Sequence, residues 1–155
     1  MAGKIKARLK ELGLELPNAA APAANYIPFV VSGKLVFVSG QITVWNGERK
    51  FIGKVGKEFS VEEGQEAAKL CALNLIAQAR AACDGDLDKV QRCVKLTGFV
   101  NSTSDFTDQP KVVNGASDLM VAVFGDKGKH ARAAVSAGSL PLGVAVEVEA
   151  IFEIA

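Results

Sequence analysis

Histidine and cysteine are scarce in this chain of 155 residues, which has one histidine, His130, and three cysteines. Cys71, Cys83 and Cys93 form no Cys-x-x-Cys pair, and no group of residues has the spacing of zinc ligands. We therefore expect no metal site. Because an odd number of scattered cysteines is typical of reduced, buried thiols, we also expect a cytoplasmic protein without disulfides.

An excess of one charge and long apolar runs are also missing. The chain has 18 lysines and arginines against 17 aspartates and glutamates, a formal net charge of +1. This balance argues against a surface for nucleic acid. No stretch approaches the ~20 unbroken apolar residues of a membrane span, and the N-terminal segment lacks the apolar centre of a signal peptide. We expect neither nucleic acid nor a membrane as a partner.

The chain does contain clear start and stop signals for helices. Ser60-Val-Glu-Glu63 has the form of a capping box and predicts a helix that runs to about Ala82. Asp108, as a possible cap, and Pro110, in the first turn, predict a second helix, which Gly125 ends. Strands are predicted at Phe29–Ser32, Lys34–Ser39, Phe51–Val55 (an edge strand) and Val90–Val100, with a turn at residues 45–48 and two more strands in the last third.

The resulting order, β-β-β-α-β-α-β-β, lacks the uniform alternation of an all-parallel sheet. It predicts an α+β fold in which a single mixed β-sheet carries two helices on one face. A further helix over residues 3–12 precedes the sheet. We therefore divide the chain into an N-terminal helical extension, residues 1–17, and a single domain, residues 18–155.

The last strand alternates in one register. One face is entirely apolar, and the other combines glutamates with apolar residues: Val144, Val146, Val148, Ala150, Phe152 and Ile154 against Ala145, Glu147, Glu149, Ile151 and Glu153. Two helices cover only one face of a sheet. We therefore expect an oligomer that buries the second face.

Arg132 is the first candidate for a binding residue. It shares a strand face with two small residues, Ala134 and Ser136, which leaves room around its guanidinium. A glutamate on a neighbouring strand would stand near it. The pattern alone is compatible with a plain ion pair as well as with a ligand site.

Three stretches carry a family resemblance. They are Leu35-Val-Phe-Val-Ser-Gly-Gln-Ile42, Val113-Asn-Gly115, and the run from Arg132-Ala-Ala-Val135 through Leu140-Pro141 to Val146-Glu-Val-Glu-Ala-Ile151. In this order they resemble the reactive intermediate deaminase family (Rid, or YjgF-like), whose members often carry the label endoribonuclease L-PSP. The resemblance covers about residues 22–155. It departs from the family at Ala134, where many deaminases have cysteine, and in the segment Thr107–Val113, which is longer than in compact members.

The resemblance implies a chorismate-mutase-like fold, a homotrimer with a central barrel, and three ligand clefts between subunits. It also implies roles for individual residues. Arg132 would hold the substrate carboxylate, and Glu147 would stand near the attacking water. The remaining cleft residues would be Tyr26 at the edge, Asn114 as a support, and Ser39 and Gly40 as backbone lining.

The reaction implied by the resemblance is hydrolysis of reactive 2-imino or enamine acids to 2-keto acids and ammonia, the activity of a 2-iminobutanoate/2-iminopropanoate deaminase. No cofactor is needed for this reaction. Two alternatives remain open. The cleft could bind small carboxylic metabolites without turnover, as a sensor or regulator. A ribonuclease or inhibitor of translation fits less well, because the net charge is near zero.

Overall fold

The computed structural model describes residues 3–21 and 25–155. Three α-helices are present in this part: α1 (Lys4–Glu11), α2 (Val61–Ala82) and α3 (Gln109–Phe124). The strands are β1 (Phe29–Ser32), β2 (Leu35–Ile42), β3 (Val44–Trp45), β4 (Glu48–Arg49), β5 (Val90–Asn101), β6 (Ala131–Ala137) and β7 (Val146–Ile154). Short 3-10 helices occupy Leu87–Lys89, Gly125–Gly128 and Pro141–Gly143.

Five strands form one mixed sheet in the order β1-β2-β7-β5-β6. All neighbouring pairs are antiparallel except β5 and β6, which are parallel and joined through α3. Since α2 and α3 pack on the same face of this sheet, the predicted α+β fold is confirmed. The last two strands of the chain are not neighbours, because β5 lies between β6 and β7.

One local prediction needs correction. The segment Phe51–Val55 is not an edge strand; it makes only isolated bridges, including one from Ile52 to Val144. Positive φ angles at Phe51 (53°) and Gly53 (143°) break the extended backbone there. The turn predicted at residues 45–48 is confirmed: it closes a short hairpin in which β3 pairs with β4, outside the main sheet.

Helix α2 begins where the capping box predicted. The Ser60 hydroxyl accepts a hydrogen bond from the Glu63 amide at 3.2 Å, and Glu63 Oε1 accepts one from the Ser60 amide at 3.1 Å. Helix α3 starts after Asp108, but the carboxylate of Asp108 makes no capping hydrogen bond. It lies 3.7 Å from the Lys111 ammonium instead.

Glycines allow α3 to approach both α2 and the sheet. A β-carbon at Gly115 would collide with the backbone carbonyl of Gln65 in α2, and one at Gly98 in β5 would collide with Val113. The close approach buries α3 residues that include Val112, Val113 and Met120. It also holds the neighbouring polar face of α3 against the edge strand β6, where the site described below is found.

Helix α1 is fastened to the rest of the fold by polar contacts and by one buried side chain. The carboxylate of Asp88 accepts hydrogen bonds from the amides of Lys4 (3.0 Å) and Ile5 (2.9 Å). Arg8 Nε donates to the carbonyl of Ala122 at 2.9 Å, and Leu9 is buried in the core. No helix in the described residues is long and apolar enough to cross a membrane.

The two faces of β7 differ as the alternation predicted. Val146, Val148, Ala150 and Phe152 are buried under the helices. The other face of the sheet, which we call the open face, carries Glu147, Glu149 and Ile151 from β7. It also carries the exposed apolar side chains of Val30 on β1, Phe37 on β2 and Val135 on β6.

Candidate functional site

Arg132 lies on the edge strand β6 and points toward the helices. Its register partner on β5 is the buried residue Leu96, and paired residues on adjacent strands share a face. Its Nη1 donates hydrogen bonds to Asn114 Oδ1 at 2.8 Å and to Ser117 Oγ at 3.2 Å, both on α3. The guanidinium is therefore oriented by neutral groups of the helix.

The other edge of the guanidinium has no protein partner in the described residues. Neither Nε nor Nη2 of Arg132 donates a hydrogen bond there, and no carboxylate lies within ion-pair distance. This edge presents two parallel N–H groups, the geometry in which arginine binds a carboxylate bidentately. The plain ion pair that the sequence left open is thus not made among the residues that the structure describes.

Sequence reasoning singled out neither Ser117 nor His130 as a site residue. Ser117 Oγ lies 2.8 Å from His130 Nε2, and His130 Nδ1 lies 2.6 Å from the carbonyl oxygen of Gly128. Ser117 follows Asn114 by three residues on α3, so the two side chains share a helix face. This spacing could have indicated Ser117 from the sequence. It does so only when β6 is known to lie beside this face of α3.

Glu147 lies on the open face of β7, close to Gly40. The β2–β7 register shifts between Val38 and Gln41, and Gly40 lies in that irregularity. A β-carbon at position 40 would collide with the Glu147 carboxylate. Glycine at this position therefore leaves the space that the carboxylate occupies. Its backbone remains available to line the cleft, as the resemblance implies.

The environment of Glu147 favours its protonated form. Partial burial, and secondly the negative charge of Glu149 on the same face, raise the pKa of the Glu147 carboxyl. The carboxylate has no hydrogen-bond or ion-pair partner among the residues described. A carboxylate with a raised pKa and no protein partner suits the transfer of protons to and from a ligand or water.

Tyr26 and Ser39 lie near Gly40 on the side of the lead-in to β1. Tyr26 is 58% exposed. A cavity of about 270 Å³ is lined by Tyr26, Gly40 and Gln41, among other residues. The Ser39 hydroxyl donates to the carbonyl of Ile27 at 2.9 Å, so its side chain is used within the chain.

These residues form two separate groups in one chain. Arg132, Asn114 and Ser117 lie on the helix side of β6, whereas Glu147 lies on the opposite face of β7. Strand β5 separates them, and the register puts the α-carbons of Arg132 and Glu147 about 14 Å apart. The expected approach of arginine and glutamate is thus not made by a single copy.

Comparison with known proteins identifies the family of this chain. The family model described as "YjgF/chorismate mutase-like, putative endoribonuclease" matches residues 6–154. The chain belongs to this family. The Rid or YjgF-like resemblance expected from the sequence is thereby confirmed.

Individual members of the family are similar over nearly the whole chain. The protein TCP17 of Trypanosoma cruzi is 50% identical over 153 residues, which cover 98% of this chain and 95% of TCP17. The crystal structure of Atu1372 from Agrobacterium tumefaciens, of unknown function, is 50% identical, has a TM-score of 0.92 and covers 97% of this chain and 92% of its own.

A third solved structure is more distant. The structure of RidA from an Antarctic Psychrobacter is 28% identical with a TM-score of 0.59, and the match covers 90% of this chain and 97% of that one. RidA therefore shares the fold over most of this chain, and the structure of Atu1372 is more similar to that of this chain in detail.

Proposed function

We propose that this protein hydrolyses reactive 2-imino acids to 2-keto acids and ammonia, in a cleft assembled from two copies of the chain. One copy supplies Arg132, held by Asn114. The other supplies Glu147 with Ser39, Gly40 and Tyr26. The observation that carries the proposal is the oriented guanidinium of Arg132, whose Nε and Nη2 edge has no protein partner in the described residues.

The separation of the two groups supports a cleft between copies. Within one chain Arg132 and Glu147 point to opposite faces of the sheet. The open face carries exposed apolar side chains: Val30 is 50%, Phe37 43% and Val135 45% exposed. A neighbouring copy that covers this face would bury them and bring its own residues toward Glu147. We propose a homotrimer, as the family resemblance implies.

Substrate binding follows from the chemistry of the guanidinium. A 2-imino acid has a carboxylate next to its C=N carbon. When the carboxylate is bound by the free edge of Arg132, the C=N carbon, which is bonded directly to the carboxylate carbon, is held in a fixed position. Fixing the substrate in this way supplies much of the rate enhancement for a reaction between water and an already electrophilic carbon.

Glu147 moves the protons in this scheme. Its carboxylate takes a proton from the attacking water while the water oxygen bonds to the imine carbon and the C=N electron pair moves to nitrogen. Glu147 then returns this proton to the nitrogen, which gives a neutral carbinolamine. The carbinolamine collapses when Glu147 moves the hydroxyl proton to the nitrogen, so that the C–N bond breaks, ammonia leaves and the C=O bond forms. The raised pKa of Glu147 brings its proton affinity closer to that required for both steps.

Trapping of imines tests the activity. An amino-acid oxidase generates the 2-imino acid in situ, semicarbazide traps it, and the fall in trapped product measures hydrolysis. We expect wild-type protein to lower the trapped fraction, and Arg132→Ala and Glu147→Gln to lose this effect. Arg49→Ala, a change at an exposed arginine of β4, is the matched control and should behave as wild type.

Mixed oligomers test the cleft between copies. Arg132→Ala chains keep Glu147, and Glu147→Gln chains keep Arg132. When equal amounts are unfolded and refolded together, random assembly of a ring restores about one quarter of the clefts. Recovery of activity near that level supports a shared cleft, whereas no recovery would place both residues in one chain's site.

The same variants distinguish the two alternative functions, a metabolite-binding protein and a ribonuclease. Binding of a stable keto acid that depends on Arg132, without turnover of any imine, would indicate a metabolite-binding protein. Cleavage of RNA that survives Arg132→Ala would indicate a ribonuclease, which needs no carboxylate anchor.

A further inference from the structure

Ser117 and His130 form a hydrogen-bonded line that ends on Arg132. The line runs from the carbonyl of Gly128 to His130 Nδ1 (2.6 Å), from His130 Nε2 to Ser117 Oγ (2.8 Å), and from Ser117 Oγ to Arg132 Nη1 (3.2 Å). Ser117 lies on α3, His130 just before β6 and Arg132 within β6. The line thus joins the helix to the strand at the point where the guanidinium is held.

The positions of the protons follow from the partners. A carbonyl oxygen only accepts hydrogen bonds, so His130 Nδ1 carries a proton and donates it to Gly128. In the neutral ring Nε2 then accepts, and the Ser117 hydroxyl donates to it. The lone pairs of Ser117 Oγ are left to accept from Arg132 Nη1. Each donor in the line therefore meets one acceptor.

The far end of the line is rigid. A β-carbon at Gly128 would collide with the backbone carbonyl of Met120 in α3, so the chain passes against the helix at this point. Gly128 is buried and closes a 3-10 turn, Gly125–Gly128. Its carbonyl is therefore fixed relative to α3, and His130 transmits that fixed position to Ser117.

We propose that Ser117 and His130 are positioning residues for Arg132. They hold Nη1 so that the Nε and Nη2 edge faces the ligand carboxylate, without touching the ligand themselves. The inference rests on the proposed role of Arg132 in binding a carboxylate. It adds that the single histidine acts through its tautomer, as an acceptor at Nε2, and not as an acid or base on the substrate.

The tautomer is measured directly, since the chain has one histidine. Long-range ¹H–¹⁵N spectra of the full-length protein with ¹⁵N-labelled histidine distinguish a protonated Nδ1 from a protonated Nε2. At mildly alkaline pH we expect the Nδ1–H tautomer, which free neutral histidine disfavours. An Nε2–H tautomer in the folded wild type overturns the inference.

Ligand binding tests the positioning. The probe is 2-oxobutanoate, a stable keto acid, titrated by calorimetry. Ser117→Ala removes one of the two hydrogen bonds that orient Nη1 and should weaken binding about three- to tenfold. Ser117→Thr keeps the hydroxyl and should stay within about twofold of wild type. His130→Asn should weaken binding like Ser117→Ala, because asparagine keeps a donor near Gly128 but offers no acceptor near Ser117.

A double variant and an exposed control complete the test. Ser117→Ala with His130→Asn should bind no more weakly than either single variant, because both interrupt one line. Ser104→Ala, at an exposed turn, should bind as wild type.

Two failures are distinguishable in these titrations. If Arg132→Ala weakens binding but Ser117→Ala and His130→Asn do not, the positioning role is wrong and the anchor stands. If wild type does not bind 2-oxobutanoate, or Arg132→Ala binds it equally well, the proposed function and the positioning role both fail.

Discussion

The carboxylate of Glu147 on β7 occupies the space that a side chain at Gly40 on β2 would need. This contact links the family's Ser-Gly stretch to the acidic residue of the proposed reaction. Gly40 has no positive φ angle, so its backbone does not require glycine. The requirement comes from the neighbouring carboxylate alone.

Gly40→Ala should therefore displace Glu147 and leave the fold intact. We expect imine hydrolysis to fall at least about tenfold, because the β-carbon collides with the carboxylate that transfers protons in the proposed mechanism. Gly138→Ala is the matched control, since a β-carbon there meets no atom within 4 Å. The trapping assay and thermal unfolding measure both variants. Full activity of Gly40→Ala would show that the position of Glu147 does not matter.

Glu149→Gln should move the acid limb of the activity to lower pH. In the proposed mechanism Glu147 acts as a base in its ionised form, so activity should fall as the pH drops through its pKa. Burial and Glu149 both raise that pKa, and neutralising Glu149 removes the second cause. The pH profile of hydrolysis checks the shift. Glu153→Gln, farther along the same face of β7, should leave the limb in place, and an equal shift in both variants would contradict the assignment.

The three cysteines should be inert in the folded protein. Burial raises the pKa of Cys71 well above its usual value, with a smaller contribution from Glu147, and raises the pKa of Cys93 to about 12. Burial also raises the pKa of Cys83. Because the thiolate is the reactive form, Ellman's reagent should label no thiol in native protein. It should label three after unfolding in guanidinium; rapid labelling of a native thiol would disagree with this packing.

Ser60→Ala should lower the free energy of unfolding by about 1 kcal/mol, the usual effect of removing an N-cap side chain. Ser60 and Glu63 satisfy each other's amides at the start of α2, the longest helix of the described fold. Urea unfolding measures the change. Ser104→Ala, which removes an exposed hydroxyl, should be neutral, and equal effects of the two changes would mean that the capping box does not stabilise α2.

Local signals in the sequence predicted most elements, because their causes lie within a few residues. The capping box at Ser60 located α2, and the alternation in Val146–Ile154 gave the buried face of β7. The segment Phe51–Val55 failed as a strand because its backbone geometry depends on contacts with distant residues such as Val144 and Ser102. Its apolar residues do not by themselves specify an extended backbone.

The pairing of the last strands depended on topology. The connection from β5 through α3 returns to β6 as a parallel neighbour on the outer side, and β7 then enters between β2 and β5. Nothing in the residues of β6 or β7 specifies which of two strands will be adjacent. For this reason the sequence suggested that Arg132 and Glu147 approach each other, whereas the fold separates them.

By itself, the sequence determined the α+β class, the helix boundaries at Ser60 and Gly125, and the identity of Arg132 and Glu147 as the candidate residues. The fold class and boundaries follow from periodicity and capping, and Arg132 from side-chain chemistry, all of which act over short distances along the chain. Glu147 follows from the family resemblance. Only the tertiary structure decided that Arg132 is held by Asn114 and Ser117, that His130 supports Ser117, and that Glu147 lies over Gly40. Those contacts join residues on different elements, and close packing of α3 against β5 and β6 brings them together.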